Sequence, residues 1–195
     1  VTGVRAESYQ QKFHYVEFGS NLDKYLDTTV IDLLPSLNLT YKITERFQWR
    51  ASAARTVSRP EFRELAPFVF YNFLNDNLVS GSPELKRASI NNYDTRLEYF
   101  PGKGQIISVS GFYKTFDNPI ELLLRTGTSG QQELYYSNID KAKTLGAELE
   151  YRMNLGWINR TDSNSIFSKT TFYTNASYIR SDADVSDIAG LEEYP

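Results

Sequence analysis

The 195-residue chain holds one histidine and no cysteine, and that shortage decides most questions of reactive chemistry. His14 has no serine or aspartate partner at a catalytic spacing, so nucleophilic and general acid–base catalysis lack a constellation; it reads as a loop histidine. Without cysteine there is neither a disulfide framework nor a thiolate zinc cluster. Asp182, Asp184 and Asp187 offer carboxylates to a calcium ion, but the glycine and closing bidentate glutamate of an EF-hand loop are missing, so a solvated acidic loop is the better reading. The Gly102-Lys103-Gly104 run has no following helix whose N-terminus would cradle a phosphate. The Asn-x-Ser/Thr triplets at Asn38, Asn159 and Asn175 read as chance, since two of them lie inside predicted strands. No enzyme, no cofactor and no metal are expected.

Recognition chemistry is what remains. Arg59, Arg63, Tyr71, Asn75, Tyr135 and Tyr136 combine a ring, a cation or an amide with a loop position, and they are the ligand-contact candidates, each equally able to pack its own loop. Phe68, Val69, Phe70, Tyr71 and Phe73 cluster in one of these loops, as that loop's small core or as a ligand surface; the core is the expectation. A net charge of −3 and a pI near 5.3 offer no basic surface to a phosphate backbone, which argues against a nucleic-acid partner.

The elements that must position these residues are strands. Tyr93, Thr95, Leu97 and Tyr99 alternate with Asn92, Asp94, Arg96 and Glu98, a period of two with one apolar and one charged face. A turn through Pro101, Gly102, Lys103 and Gly104 leads into Ile107, Val109, Gly111 and Tyr113. The same alternation predicts strands over about 1–9, 34–43, 46–57, 90–100, 105–125, 131–153 and 168–180. Pro35 marks the entry to the second, where a missing donor is tolerated. Between them lie long loops at 10–32, 58–89 and 181–195. Within the loop at 58–89, Ser58 followed by Pro60 and Glu61 signals one or two helical turns.

Short links at 44–45, 101–104 and 154–165 alternate with the long loops and with a tall hairpin tip at 118–142. In an up-and-down sheet all links of one class then share an edge, as in an outer-membrane barrel with short periplasmic turns and long extracellular loops. No run of 18 apolar residues is present to make a membrane helix, but a membrane strand needs only about 9–11 residues. Fourteen Tyr and twelve Phe stand against one Met. Tyr41, Phe47, Trp49, Tyr99, Phe100, Tyr151 and Trp157 gather near the short-turn edge, where rings favour the headgroup boundary. Lys42, Arg46, Arg50, Asp94, Arg96, Glu98, Glu148, Glu150 and Arg152 occupy the opposite face, which suits a wet lumen. No secretory leader is visible, because residues 1–7 already read as strand.

Four stretches, RTVSRPEFRELAP at 55–67, VSGSPELKRASINNYDTRLEYF at 79–100, ISVSGFYKTFDNPIE at 107–121 and YSNIDKAKTLGAELEYR at 136–152, resemble successive late strands in the C-terminal barrel region of TonB-dependent outer-membrane receptors. They cover 67 of the 195 residues, about a third of the chain; Ser82 stands where the family commonly has asparagine, and Gly81 and Pro83 still define the turn. The resemblance implies an all-β antiparallel sheet of about seven strands, one partial barrel domain over 1–195, within a 22-stranded transmembrane β-barrel that encloses a plug. It further implies uptake of a scarce nutrient (siderophore-iron, haem, cobalamin or oligosaccharide) energised by the TonB–ExbB–ExbD complex through a plug region that this chain lacks. A barrel enzyme and a soluble β-sheet binding module are the alternatives. The partners expected are the nutrient, outer-membrane lipid and, through the sheet's two raw edges, further copies of the isolated chain.

Overall fold

The computed structural model describes residues 1–16, 22–73, 77–126, 132–158 and 165–184. The chain runs through β1 (Thr2–Val16), β2 (Asp23–Lys42), β3 (Phe47–Ser58), a single helical turn α1 (Phe62–Leu65), β4 (Val69–Asn72) and β5 (Asn77–Ser80). It continues through β6 (Ala88–Tyr99), β7 (Ile106–Asp117), β8 (Ile120–Thr126), β9 (Gln132–Asn138), β10 (Lys141–Asn154) and β11 (Thr171–Asp184). Seven strands form one antiparallel sheet in the order β1-β2-β3-β6-β7-β10-β11, and it does not close on itself. A smaller sheet has the order β4-β5-β9-β8, in which β5 and β9 run parallel.

Register converts the period-two pattern into two faces. Tyr41, Trp49, Leu97, Val109, Leu149 and Ala176 lie in one cross-strand row. Arg50, Arg96, Ser110, Glu148 and Ser177 lie in the next, on the opposite side. The first face is bare: Leu33, Leu37, Leu39, Tyr41, Tyr93, Leu97, Val109, Leu145, Leu149, Phe172 and Tyr178 are all exposed. An apolar belt of this extent has no place against water and is the expected dress of a sheet standing in lipid. The Trp49 indole N–H within it is satisfied, donating to Thr95 Oγ1 at 2.8 Å.

The other face carries an ion ladder. Glu98 is buried and accepts from Gln48 on β3. Its carboxylate also meets Arg50 at 3.0 Å and Arg96 at 2.9 Å, and Arg96 reaches on to Glu150 at 2.6 Å. Charge of both signs is thus chained across β3, β6 and β10 instead of facing hydrocarbon.

The connections sort by edge. At one edge β2 turns into β3 through 43–46, β6 into β7 through 100–105, where Gly104 takes a left-handed φ of 70°, and β10 into β11 through two short 3₁₀ segments. The opposite edge carries the β1–β2 hairpin, the excursion at 59–87 and the β8–β9 extension.

Several boundaries differ from the sequence reading. Residues 10–16 and 23–32 hold ladder in place of the loop expected over 10–32: β1 and β2 pair from Thr2↔Leu37 to Val16↔Asp23, and 17–21 lie outside the described residues. Polar side chains such as Lys12 and Asp27, in contact at 3.2 Å, replace the apolar set there, so the alternation fades while pairing continues. Pro35 consequently sits inside β2. His14, on β1 and not in a loop, stacks on Tyr25 with 4.4 Å between centroids and meets Asp23 at 2.9 Å. The strands drawn at 105–125 and 131–153 are each cut in two, at 118–119 and 139–140, and their outer parts join the second sheet. The loop at 58–89 contains α1, β4 and β5, and β11 runs to Asp184, which shortens the terminal acidic loop. Residues 127–131, 159–164 and 185–195, which include Asn159, Asp187 and the hairpin tip, lie outside the described residues.

The helix start also differs in detail. The N-cap is Glu61, not Ser58: its side chain accepts from the backbone N–H of Glu64, and the Glu64 carboxylate accepts the Glu61 N–H at 2.8 Å. Gly81 lies against the end of this turn, where a Cβ would come within 2.5 Å of the Glu64 and Ala66 carbonyl oxygens. The aromatic cluster is not the loop's core. Phe68, Val69, Tyr71 and Phe73 are exposed, whereas Leu65, Ala66, Val79, Leu85, Ala88 and Ile139 are buried.

Candidate functional site

Three local devices build a cleft at the long-loop edge. After β7, Asn118 adopts a left-handed φ of 52°, and Pro119 follows, so the chain bends away from the main sheet before β8 begins. The bend is pinned by Asn118 N–H donating to the Asp140 carbonyl at 3.1 Å and Ile139 N–H to the Pro119 carbonyl at 3.0 Å. The Asn138 side chain donates to the Lys86 and Asn118 carbonyls at 2.9 and 2.7 Å and accepts the Lys86 N–H at 2.7 Å. One amide thereby ties the 59–87 excursion to the β8–β9 extension, and β5 adds to β9 as a parallel strand from Leu78↔Glu133 to Ser80↔Tyr135.

The cleft between them has a volume of about 800 Å³. Pro67, Phe68, Val69 and residues 80–84 form one wall; Arg125, Glu133, Tyr135, Tyr136 and Ser137 form the other, with Tyr15 of β1 at the margin. Arg125 and Glu133 face each other across the β8–β9 hairpin and pair at 3.0 Å. The guanidinium lies 5.0 Å from the Tyr135 ring centroid. Glu133 Oε1 is buried without a hydrogen-bond partner among the described residues. The lining therefore offers stacking surfaces, a cation held against a ring and an unused acceptor, which suits a ligand with conjugated planes and polar edges.

Of the six candidates read from the sequence, Tyr135 and Tyr136 line this cleft. Arg63 lies over the Phe70 ring at 5.3 Å, and Tyr71 packs edge-on against Phe73 at 4.8 Å. Asn75 lies outside the described residues. Arg59 belongs to a different assembly: it donates to Glu7 at 2.8 Å and Asp32 at 3.0 Å and covers the Tyr9 ring at 4.9 Å, while Arg87 reaches Asp32 at 2.6 Å. These contacts span the place where β2 and β3 part, since their ladder ends at Ser36↔Ala54. Taking residues 33–42 as the spanning part of β2, Asp32 stands just beyond the membrane boundary. Burial alone would raise its carboxyl pKa; hydrogen bonds and charge from Arg87 and Arg59 outweigh it and hold the group below its usual range. Arg59 is raised, chiefly by its hydrogen bond to Glu7.

Sequence reasoning missed Arg125 and Glu133. Their one signal was opposite charge on either side of a hairpin tip, at positions that pair only once the tip's register is known.

A family model described as TonB dependent receptor-like, beta-barrel matches residues 1–194. Among solved structures, the siderophore receptor PirA from Pseudomonas aeruginosa aligns at 19% identity and a TM-score of 0.59, over 92% of this chain and 32% of that one. The copper transporter OprC aligns at 18% identity and 0.60, over 97% and 27%. A mutant of the ferric enterobactin receptor PfeA from Pseudomonas aeruginosa, in complex with enterobactin, aligns at 22% and 0.51, over 68% and 22%. The chain thus spans a third or less of the length of these receptors, and no curated protein matches it.

Proposed function

The chain belongs to the TonB-dependent receptor β-barrel family of the Gram-negative outer membrane, and from that premise we propose that it supplies barrel wall and an outer ligand-contact surface for uptake of a scarce nutrient. The favoured cargo is a metal chelate carrying aromatic or conjugated oxygen donors, of the siderophore class. The observation that carries this reading is the cleft at the long-loop edge, where Arg125 is held against Tyr135 and flanked by Tyr136 and Phe68. Such a surface stacks planar rings and pairs with anionic oxygen in one place. The aligned receptors, two for siderophores and one for copper, support a metal-bearing cargo. Transport energy would come from the TonB–ExbB–ExbD complex acting on a plug region of the whole receptor.

The test is ligand binding by the full-length protein that carries this chain, titrated with ferric catecholate and ferric hydroxamate siderophores, haem and cobalamin. Arg125→Ala and Tyr135→Ala are expected to weaken the preferred ligand about tenfold each, the loss of a cation–π or charge-assisted contact. Unchanged affinity in both variants would remove the cleft from the account.

A further inference from the structure

The apolar belt is not uniform. Between β2 and β3 it is broken by a groove of about 370 Å³, lined on its floor by Pro35, Leu37, Ala53 and Tyr93 and at its upper end by Arg55 and Asn91. Leu37, Ala53 and Tyr93 lie in one cross-strand row, and Arg55 pairs with Asn91 two residues further along the same face. The groove opens because β2 and β3 separate beyond Ser36↔Ala54. Its walls are β2, β3 and β6, with Thr2 of β1 also lining it.

Depth gives the groove a polarity. Arg55 lies eight residues from Phe47 at the short-turn edge of β3. At a rise of ~3.4 Å per residue and a strand tilt of ~45°, that places it ~19 Å up the membrane normal, near the outer limit of a ~25 Å apolar band. The floor lies within the band. Arg55 is exposed and donates through Nε to Ser89 Oγ at 2.9 Å, and it has no carboxylate partner among the described residues.

We propose that this groove is a binding site for an anionic membrane lipid, with an acyl chain along Leu37, Ala53 and Tyr93 and the lipid phosphate on the Arg55 guanidinium and the Asn91 amide. The commitment to lipid follows from the direction the groove faces and from its charge order. It opens into the bilayer, where soluble ligands are absent, and it sets a cation near the outer limit of the apolar band, from which the long arginine side chain reaches up to the headgroups, above an apolar trough. A bidentate guanidinium–phosphate contact satisfies a group that would otherwise face the boundary unpaired.

The test uses the full-length receptor carrying this chain, reconstituted in vesicles of mixed phosphatidylglycerol and phosphatidylcholine and then analysed by native mass spectrometry. A phosphatidylglycerol bearing a photoreactive acyl end maps the contact. Preferential retention of phosphatidylglycerol is expected, with cross-links at 35–37, 53–55 and 91–93. Arg55→Gln should lower that retention about tenfold, and Leu37→Trp, which fills the trough, should abolish the acyl cross-links at Ala53 and Tyr93. Arg180→Gln, which removes the outward cation on β11, should leave both unchanged. Equal retention of the two lipids with no effect of Arg55→Gln, cross-links spread evenly around the belt, or a polypeptide found in the groove would each overturn the proposal.

Discussion

Replacing Leu149 by lysine probes the lipid face where it should be least forgiving. Leu149 lies on the bare side of β10, five residues from the strand's end at Asn154. With ~3.4 Å per residue and ~45° tilt, it stands ~12 Å above the short-turn edge, the middle of a ~25 Å band. A lysine there should cost about 2–4 kcal/mol, falling to about 0–1 at either boundary. Leu145 lies nine residues from Asn154, ~22 Å up by the same arithmetic, so Leu145→Lys should cost about 1 kcal/mol or less. Ser177 pairs with Glu148 on the lumen face, and Ser177→Lys should be nearly neutral. Reversible denaturant unfolding of the full-length receptor from vesicles measures all three. The reasoning fails if Leu149→Lys is as benign as Ser177→Lys, or if Leu145→Lys is the costliest of the set.

Asp32→Asn should loosen the β1–β2 hairpin by about 1–3 kcal/mol, since it leaves Arg59 and Arg87 without their shared carboxylate but still partly hydrated; amide exchange at 7–16 and 23–32 would rise. Because the folded Asp32 carboxyl titrates below its ordinary value of 3.8, its contribution is complete above that pH and is lost only as pH falls through the lower, folded value. Protection of the hairpin at pH 5 and pH 7 should therefore agree in the wild type; loss of protection already by pH 5 would refute the role given to Asp32. Gly81→Ala drives a methyl into two carbonyl oxygens at 2.5 Å and should destabilise the 59–87 excursion by about 1–3 kcal/mol, read as faster proteolysis there with the main sheet intact. Equal proteolysis of wild type and variant would show that the helical turn does not rest on this contact.

The spanning half of the fold is written in its sequence because lipid imposes strict alternation. Each outward residue from Tyr93 to Tyr99 must tolerate hydrocarbon and each inward one water, so period two is visible without neighbours. Beyond the membrane that constraint lapses. On β1 over 10–16 and β2 over 23–32 the outward face meets water and carries polar side chains such as Gln10, Lys12, Asp27 and Thr29, while Phe13 and Tyr15 turn to the half-buried inner face, so the lipid-type alternation is lost although the backbone ladder continues. The second sheet was illegible for another reason: β5 and β9 are far apart in sequence and run parallel, a pairing that no local pattern encodes. The same distance hid the latch. Arg59 looked like a loop cation free for a ligand, and only the fold brings it to Glu7 and Asp32. Tyr135 and Tyr136 were legible as rings near a hairpin tip, whereas the opposing wall at 80–84 required the tertiary contact through Asn138.

The central claim is that one face of the sheet meets lipid and the other meets water. A single-cysteine scan of residues 92–99 tests it most directly, since the chain has no cysteine of its own. Each variant of the full-length receptor, embedded in vesicles, is spin-labelled and its collisions with lipid-dissolved oxygen and with a water-soluble nickel chelate are compared. Positions 93, 95, 97 and 99 should favour oxygen and positions 92, 94, 96 and 98 the chelate, in strict alternation. A flat profile, or one in which Leu97 and Arg96 respond alike, would contradict the account.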